Sequence, residues 1–344
     1  MASTVPFVAS SALGEKLLGG LQKVLTAAKA PVSLVKTDAN AVAASATHIL
    51  AGPLNPVCTG ELANKFALST KVTKAAAADL YPNTIYPALG CEAVQNLYAL
   101  SNPDFVSSGG ASHTDAVVKT KEQDPDGHAL KLLELQKEQD RSIQNFFNAE
   151  AKTSLQETLK MACDKALESK VDKKTVTVVS KPGDKMSSKF DELFAGVVKS
   201  ETDSRADELR AASVSVEVTP VGSAWPKMVM YPESTQLLVC PPTEAGEEMA
   251  TLFIGLAGGT GMVSQKLSGG ASVYTCANYE DNENPTGALL AACDLLTDMG
   301  HEAEAKKVRA ALDKTYKTDK ILPKDMPGGK ADLNAFIEAV AKNC

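Results

Sequence analysis

The sequence predicts an α/β protein of about two domains, and three observations carry that prediction. Short β-branched runs such as TVTVVS and VSVEV alternate with amphipathic stretches of helical period. The 344 residues fit two compact units better than one. Hydrophobic residues at 44% and charged residues at 22% are those of an ordinary globular chain with enough apolar material for a sizeable core.

The elements follow in order. Residues 1–30 are rich in Ser and Ala, and Leu13, Leu17, Leu18, Leu21, Val24 and Leu25 fall on one helical face. They read as an amphipathic N-terminal arm, packed on this protein or a neighbour, and compatible with an uncleaved organelle-import signal. Residues 31–50 read as a short buried strand followed by an alanine-rich helix. Pro82, Pro87 and Gly90 then mark a turn region, and residues 101–127 a loop. Residues 128–170 are helical in pattern, with a heavily charged outer face. Residues 175–180 form a strand, and SSKFDELFAGVVKS forms a helix behind a serine cap. Two more strands, 214–218 and 236–240, flank the single Trp225. From Glu244 the chain reads as mostly helical through GEEMATLFIGLAGG, with 271–283 as a loop. The tail is helical again, and Gly300 marks a helix end.

Charge and cysteine content exclude several classes. A net charge of −7 argues against a nucleic-acid footprint. No apolar run approaches the roughly 20 residues that span a bilayer. The seven cysteines are scattered without a CxxC pair, which fits buried thiols in a reducing compartment and neither a disulfide framework nor a zinc site. The four histidines, His48, His113, His128 and His301, have no metal-ligand spacing, and no GxSxG elbow is present.

The tail from Asn284, NPTGALLAACDLLTDMGHEAEAKKVRAALDKTYK, resembles the C-terminal end of the β-decarboxylating dehydrogenases, the isocitrate and isopropylmalate dehydrogenases. AAAADLYPNTIYPALG resembles that family's LRKxLDLYANVRP segment through Asp79, Leu80, Tyr81, Asn83 and Pro87. KKTVTVVSKPGDK resembles the segment bearing its catalytic lysine. The resemblance implies two α/β domains with a mixed sheet, one formed by residues 31–100 and 255–344 and the other by 101–254. PVSLVKTDANAVA is matched to the family's opening strand and its IPGDGIGPE turn, of which only Asp38 survives.

The resemblance also implies what has been lost. The family grips a malate-like substrate with arginines, whose planar forks lysine reproduces poorly. No arginine precedes Arg141, and only Arg205, Arg210 and Arg309 follow it. The expected arginine positions fall on Ala75 and on Tyr86 or Ile85, and a third should lie within 106–111, where VSSGGA stands. Lys181 occupies the catalytic lysine's place, with Gly183 where an asparagine usually follows; a lysine at a strand end is far more often a solvated surface residue. The metal-binding segment matches PPTEAGEEMATLF, where Glu244, Glu247 and Glu248 suit a solvated helix start better than a compact cation site, and Ala250 takes the place of an aspartate. Gly258, Gly259 and Gly261 read as close packing and not as a phosphate loop. The cofactor loop before Asn284–Pro285 is shortened, and its acids Glu280, Asp281 and Glu283 oppose a dinucleotide phosphate.

Lys181 is therefore a vestige, and no catalytic, cofactor-binding or metal-binding residue is assigned. The implied protein has no cofactor, no small-molecule substrate, no nucleic-acid partner and no membrane span. It is a non-catalytic scaffolding subunit, partnered by other proteins in a large mitochondrial assembly. The 36.1 kDa mass and alanine-rich, arginine-poor composition resemble the associated subunits of green-algal mitochondrial ATP synthase, which points to a peripheral stalk. The alternative is a regulatory or degenerate subunit of an NAD-dependent isocitrate dehydrogenase. Docking is expected on the divergent segments 12–30, 127–152 and 271–283.

Overall fold

The computed structural model describes residues 2–68, 70–75, 97–101, 152–168, 174–180, 185–230, 237–240, 260–276, 283–326 and 328–344. The N-terminal stretch is not an arm. Strand β1 (Ser3–Val8) lies between two other strands, with Val5 and Phe7 fully buried. Ser11 then caps helix α1 (Ala12–Ala27), its hydroxyl accepting from Gly14 N at 3.2 Å. Leu17, Leu21, Val24 and Leu25 recur at helical spacing and pack under the C-terminal helices, so the apolar face is covered by this chain itself.

Strand β2 (Val32–Lys36) follows, so the opening strand is β1 and not the 31–36 segment. The alanine-rich helix expected next is absent. A single 3-10 turn (Ala39–Ala41) leads instead to strand β3 (His48–Ala51). Alanine favours helix, but this stretch offers no repeating apolar face to bury, and propensity without tertiary cover does not hold a short helix. Helix α2 (Pro56–Phe66), capped by Asn55, and strands β4 (Thr70–Ala75) and β5 (Leu97–Ser101) complete the first part.

Helix α3 (Lys152–Glu168), strand β6 (Lys174–Ser180), helices α4 (Lys185–Ser204) and α5 (Ala206–Ala211), strand β7 (Val214–Pro220), helix α6 (Val221–Met230) and strand β8 (Leu237–Cys240) form the middle. The stretch read as helix then loop is partly a hairpin, with β9 (Val263–Ser268) antiparallel to β10 (Ser272–Cys276) around Gly269 and Gly270. VSQKLS has three polar residues in a row and SVYTC is buried almost throughout, so neither strand carries the alternation that marks a strand in sequence. Helices α7 (Thr286–Asp298), α8 (Glu302–Lys317) and α9 (Leu333–Asn343) close the chain. Gly300, at φ 82°, does end the first of these.

One ten-stranded sheet runs β2-β1-β3-β10-β9-β4-β5-β8-β6-β7. Both flanks are parallel, and the centre, β10-β9-β4-β5, is antiparallel. Alternation sets the two faces of the first flank. Phe7, Leu50 and Tyr274 face α1, α7, α8 and α9, whereas Val8, Ile49, Ala51 and Val273 face α2. A smaller core joins Val176, Val178 and Val239 to α3 and α4 through Leu159, Ala162, Val197 and Val198.

Candidate functional site

In α/β sheets ligands sit beyond the carboxyl ends of parallel strands, where helix N-termini converge. Here that edge is built by the turn after β1, the turn after β3 and the entry to α7. The β1 turn reads VASSALGEK, and against IPGDGIGPE only the last glycine is kept, as Gly14. The turn bonds to its own neighbours. Ser10 Oγ donates to Pro53 O at 2.6 Å and accepts from Asn55 N at 3.1 Å. Gly52 N donates to Val8 O at 3.0 Å, and Gly52 O accepts from buried Thr275 Oγ1 at 2.6 Å. A Cβ on Gly52 would stand 2.7 Å from the Gly14 Cα, so two glycines let helix and strand turn touch backbone to backbone.

The facing wall is equally self-bonded. Asn284 is buried; its Oδ1 accepts from Thr286 N at 3.0 Å, and its Nδ2 donates to Asp325 Oδ2 at 3.3 Å. Thr286 Oγ1 and Tyr316 OH lie 2.6 Å apart, and Tyr316 OH donates to Met262 Sδ at 3.5 Å. Glu283, from the acidic run, pairs with Lys16 of α1 at 3.1 Å across the mouth of the edge. Among the described residues of this edge, Ser10, Lys16, Glu283 and Asn284 are each bonded within the fold.

The opposite edge holds an ionic cluster that the sequence did not announce. Tyr274 OH donates to Asp298 Oδ2 at 2.5 Å, and Lys266 Nζ bonds the same oxygen from 5.5 Å above the Tyr274 ring centroid. Burial, then the carboxylate, push the Tyr274 phenol well above its ordinary range. Burial alone would raise Asp298, but its bonds to Lys266 and Tyr274 outweigh that and hold it below 3.8. Arg309 Nη2 reaches Asp294 Oδ1 at 2.6 Å and ties α8 to α7. Arg205 bonds Asp164 at 2.7 Å and Glu208 at 3.0 Å, which ties the α4–α5 turn to α3. Arg210 pairs with Asp207 on an exposed face. Arg205 and Arg309 thus tie helices together.

The expected positions are placed unevenly. Ala75 ends β4, opposite Leu97 of β5 and Val263 of β9. Asp38 precedes the 3-10 turn and makes no side-chain cap bond. Gly261 is buried so tightly that a Cβ would stand 2.4 Å from the Asn284 Cβ, as the close-packing reading requires. Lys181 follows directly on β6 but lies outside the described residues, as do Glu244, Glu247, Glu248, Ile85, Tyr86, Glu280, Asp281, residues 106–111 and residues 127–151. The segment 271–283, expected as a loop, is strand β10 as far as Cys276. Among the described residues no group of three His, Cys, Asp or Glu is placed to hold a metal. Cys58, Cys163, Cys276, Cys293 and Cys344 are free thiols. Burial pushes Cys163 up to about 11 and Cys276 to about 12, which makes both inert.

No family model matches the chain. It is similar to a chain of the Euglena gracilis mitochondrial ATP synthase peripheral stalk, 55% identical over 99% of both chains, with a TM-score of 0.81. The chain belongs to the family of that stalk protein. Its fold is isocitrate dehydrogenase-like: the isocitrate dehydrogenase of Methylococcus capsulatus superposes with a TM-score of 0.69 over 100% of this chain and 99% of its own, at 14% identity. A shorter match is to the alpha subunit of mitochondrial NAD isocitrate dehydrogenase. The Rattus norvegicus and Homo sapiens proteins are each 32% identical over 124 residues, 33% of this chain and 33% of their own length. The match thus spans about a third of those curated relatives.

Proposed function

We propose that this chain is a mitochondrial structural subunit of an ATP synthase peripheral stalk, held in place by other protein subunits and performing no catalysis. The observation that carries the reading is the 55% identity along 99% of both chains with the Euglena gracilis stalk protein. The self-bonded carboxyl edge supports the non-catalytic part, since Ser10, Lys16, Glu283 and Asn284 are engaged within the fold. No helix among the described residues is long and apolar enough to cross a membrane, which fits a subunit attached through protein contacts. Two units, 31–100 with 255–344 and 101–254, remain part of the proposal, with β1 and α1 now added to the first.

Mitochondria solubilised in mild detergent and run on a native gel test this directly. The chain is expected to co-migrate with ATP synthase. Its absence from that band overturns the reading, and co-elution with NAD-dependent isocitrate dehydrogenase activity supports the alternative that the match to the alpha subunit favours. A thermal-shift assay tests the lost chemistry separately. A ligand at 100 times its dissociation constant would stabilise the fold by about 2.7 kcal/mol. NAD, NADP, and magnesium with isocitrate or isopropylmalate are each expected to leave the melting temperature unchanged.

A further inference from the structure

Among the described residues, strand β2 is the last strand on its side of the sheet. Ser3 N donates to Pro31 O and Thr37 N to Phe7 O, so the backbone groups of the odd-numbered residues 31 to 37 face β1. Those of Val32, Leu34 and Lys36 therefore face outward, while Val32 and Leu34 bury their side chains under α1. An outward row of this kind is a template for another strand. The exposed Ser33 and the 48%-exposed Val35 lie on the same edge and would favour such pairing.

Gln22 of α1 reaches round to this row. Its Oε1 accepts from Leu34 N at 2.8 Å, and its Nε2 donates to Val32 O at 3.4 Å. A residue in a neighbouring parallel strand would make the same two bonds, accepting from Leu34 and donating to Val32 on either side of Ser33. A carboxamide has the donor and acceptor to do this, as a peptide unit has. Thr26, one turn along, steadies the amide: its Oγ1 lies 3.4 Å from Gln22 Nε2 and donates to Gln22 O at 2.8 Å. Lys36, farther along the strand, adds a charge beside the edge, paired with Glu15 of α1 at 2.6 Å.

We propose that Gln22 acts as a surrogate strand residue that closes the β2 edge against strand addition by a second copy of this chain. This role belongs to the isolated chain and stands whether or not the stalk reading does. Two variants test it. Gln22→Met keeps length and helix propensity but removes both bonds, and Gln22→Glu keeps the acceptor for Leu34 alone. In Gln22→Met the Leu34 amide is expected to exchange with deuterium about fivefold faster or more, the loss of one net hydrogen bond, with Gln22→Glu in between. Light scattering over a concentration series should show association of Gln22→Met beyond the wild-type mass at the same concentrations. Equal Leu34 exchange in wild type and Gln22→Met overturns the proposal. So does faster exchange with an unchanged mass, which leaves Gln22 as an internal bond and no guard. If Gln22→Met does not fold by circular dichroism, Gln22→Glu is read in its place: it should bare the Val32 carbonyl and associate, and a wild-type mass in that variant overturns the proposal.

Discussion

The two ends of the parallel strands differ in what their polar groups do. At the carboxyl ends, where related architectures receive ligands, the bonds tie turns to one another: Ser10 to Pro53 and Asn55, Gly52 to Val8, Asn284 to Thr286. At the other end they tie layers: Lys266 and Tyr274 of the sheet to Asp298 of α7, and Asp294 of α7 to Arg309 of α8. The first end is tied turn to turn, and the second is a clamp between sheet and helices. Fold and site are separable, so the clamp can keep the shape whatever the carboxyl end does.

The comparison can be broken most drastically by deleting residues 1–30. Loss of an interior strand and of the helix covering the main core is expected to abolish cooperative unfolding, read by circular dichroism and gel filtration. A truncated chain that still melts cooperatively would mean that β1 and α1 are an appendage after all. Gly52→Ala attacks the carboxyl end. Its methyl would meet the Gly14 backbone at 2.7 Å, and such overpacking costs about 1–3 kcal/mol in a denaturant titration.

Asp298→Asn attacks the clamp, and the expected loss near neutral pH is about 2 kcal/mol for a charge-assisted bond. Because the folded state holds Asp298 below 3.8, its contribution is full above the unfolded value and fades as pH falls through the folded one. The gap between wild type and Asp298→Asn should therefore narrow from pH 5 towards pH 2; a constant gap would show that the carboxylate charge is irrelevant. Lys16→Ala gives the smallest effect. The Lys16–Glu283 pair is exposed, so its loss should cost about 0.5 kcal/mol or less. A larger loss would make the mouth of the carboxyl edge a structural lock in its own right.

Much of the fold was legible because local pattern and burial agree. The strand at 174–180, the strand starting at Val214, the Gly300 stop and the tail helices all carry periodicity that the packing uses. Strand β1 was missed because STVPFV is short and sits in a Ser- and Ala-rich context that reads as a leader. The signal was present in the four residues VPFV followed by a serine cap and Gly14. Matching the family's opening strand to β2 followed from that miss, and with it the idea that every glycine of the turn had gone. The Tyr274–Asp298–Lys266 cluster had no local signal, since 24 and 32 residues separate the partners along the chain. Gln22 was invisible for the same reason: an amide on a polar helix face says nothing until the strand edge beside it is known.

The seating of α1 against α9 has a consequence for how the protein is made. Lys23 bonds Glu338 across 315 positions, and Leu17, Leu21, Val24 and Leu25 are roofed by helices that begin only at Thr286. A chain made from its N-terminus therefore presents a greasy first helix long before its lid arrives. Early pairing of β1 with β2 and β3 hides only the side of it that meets the sheet. Closure of this first unit waits on the last residues delivered, and until then the newcomer depends on a holding chaperone or on haste.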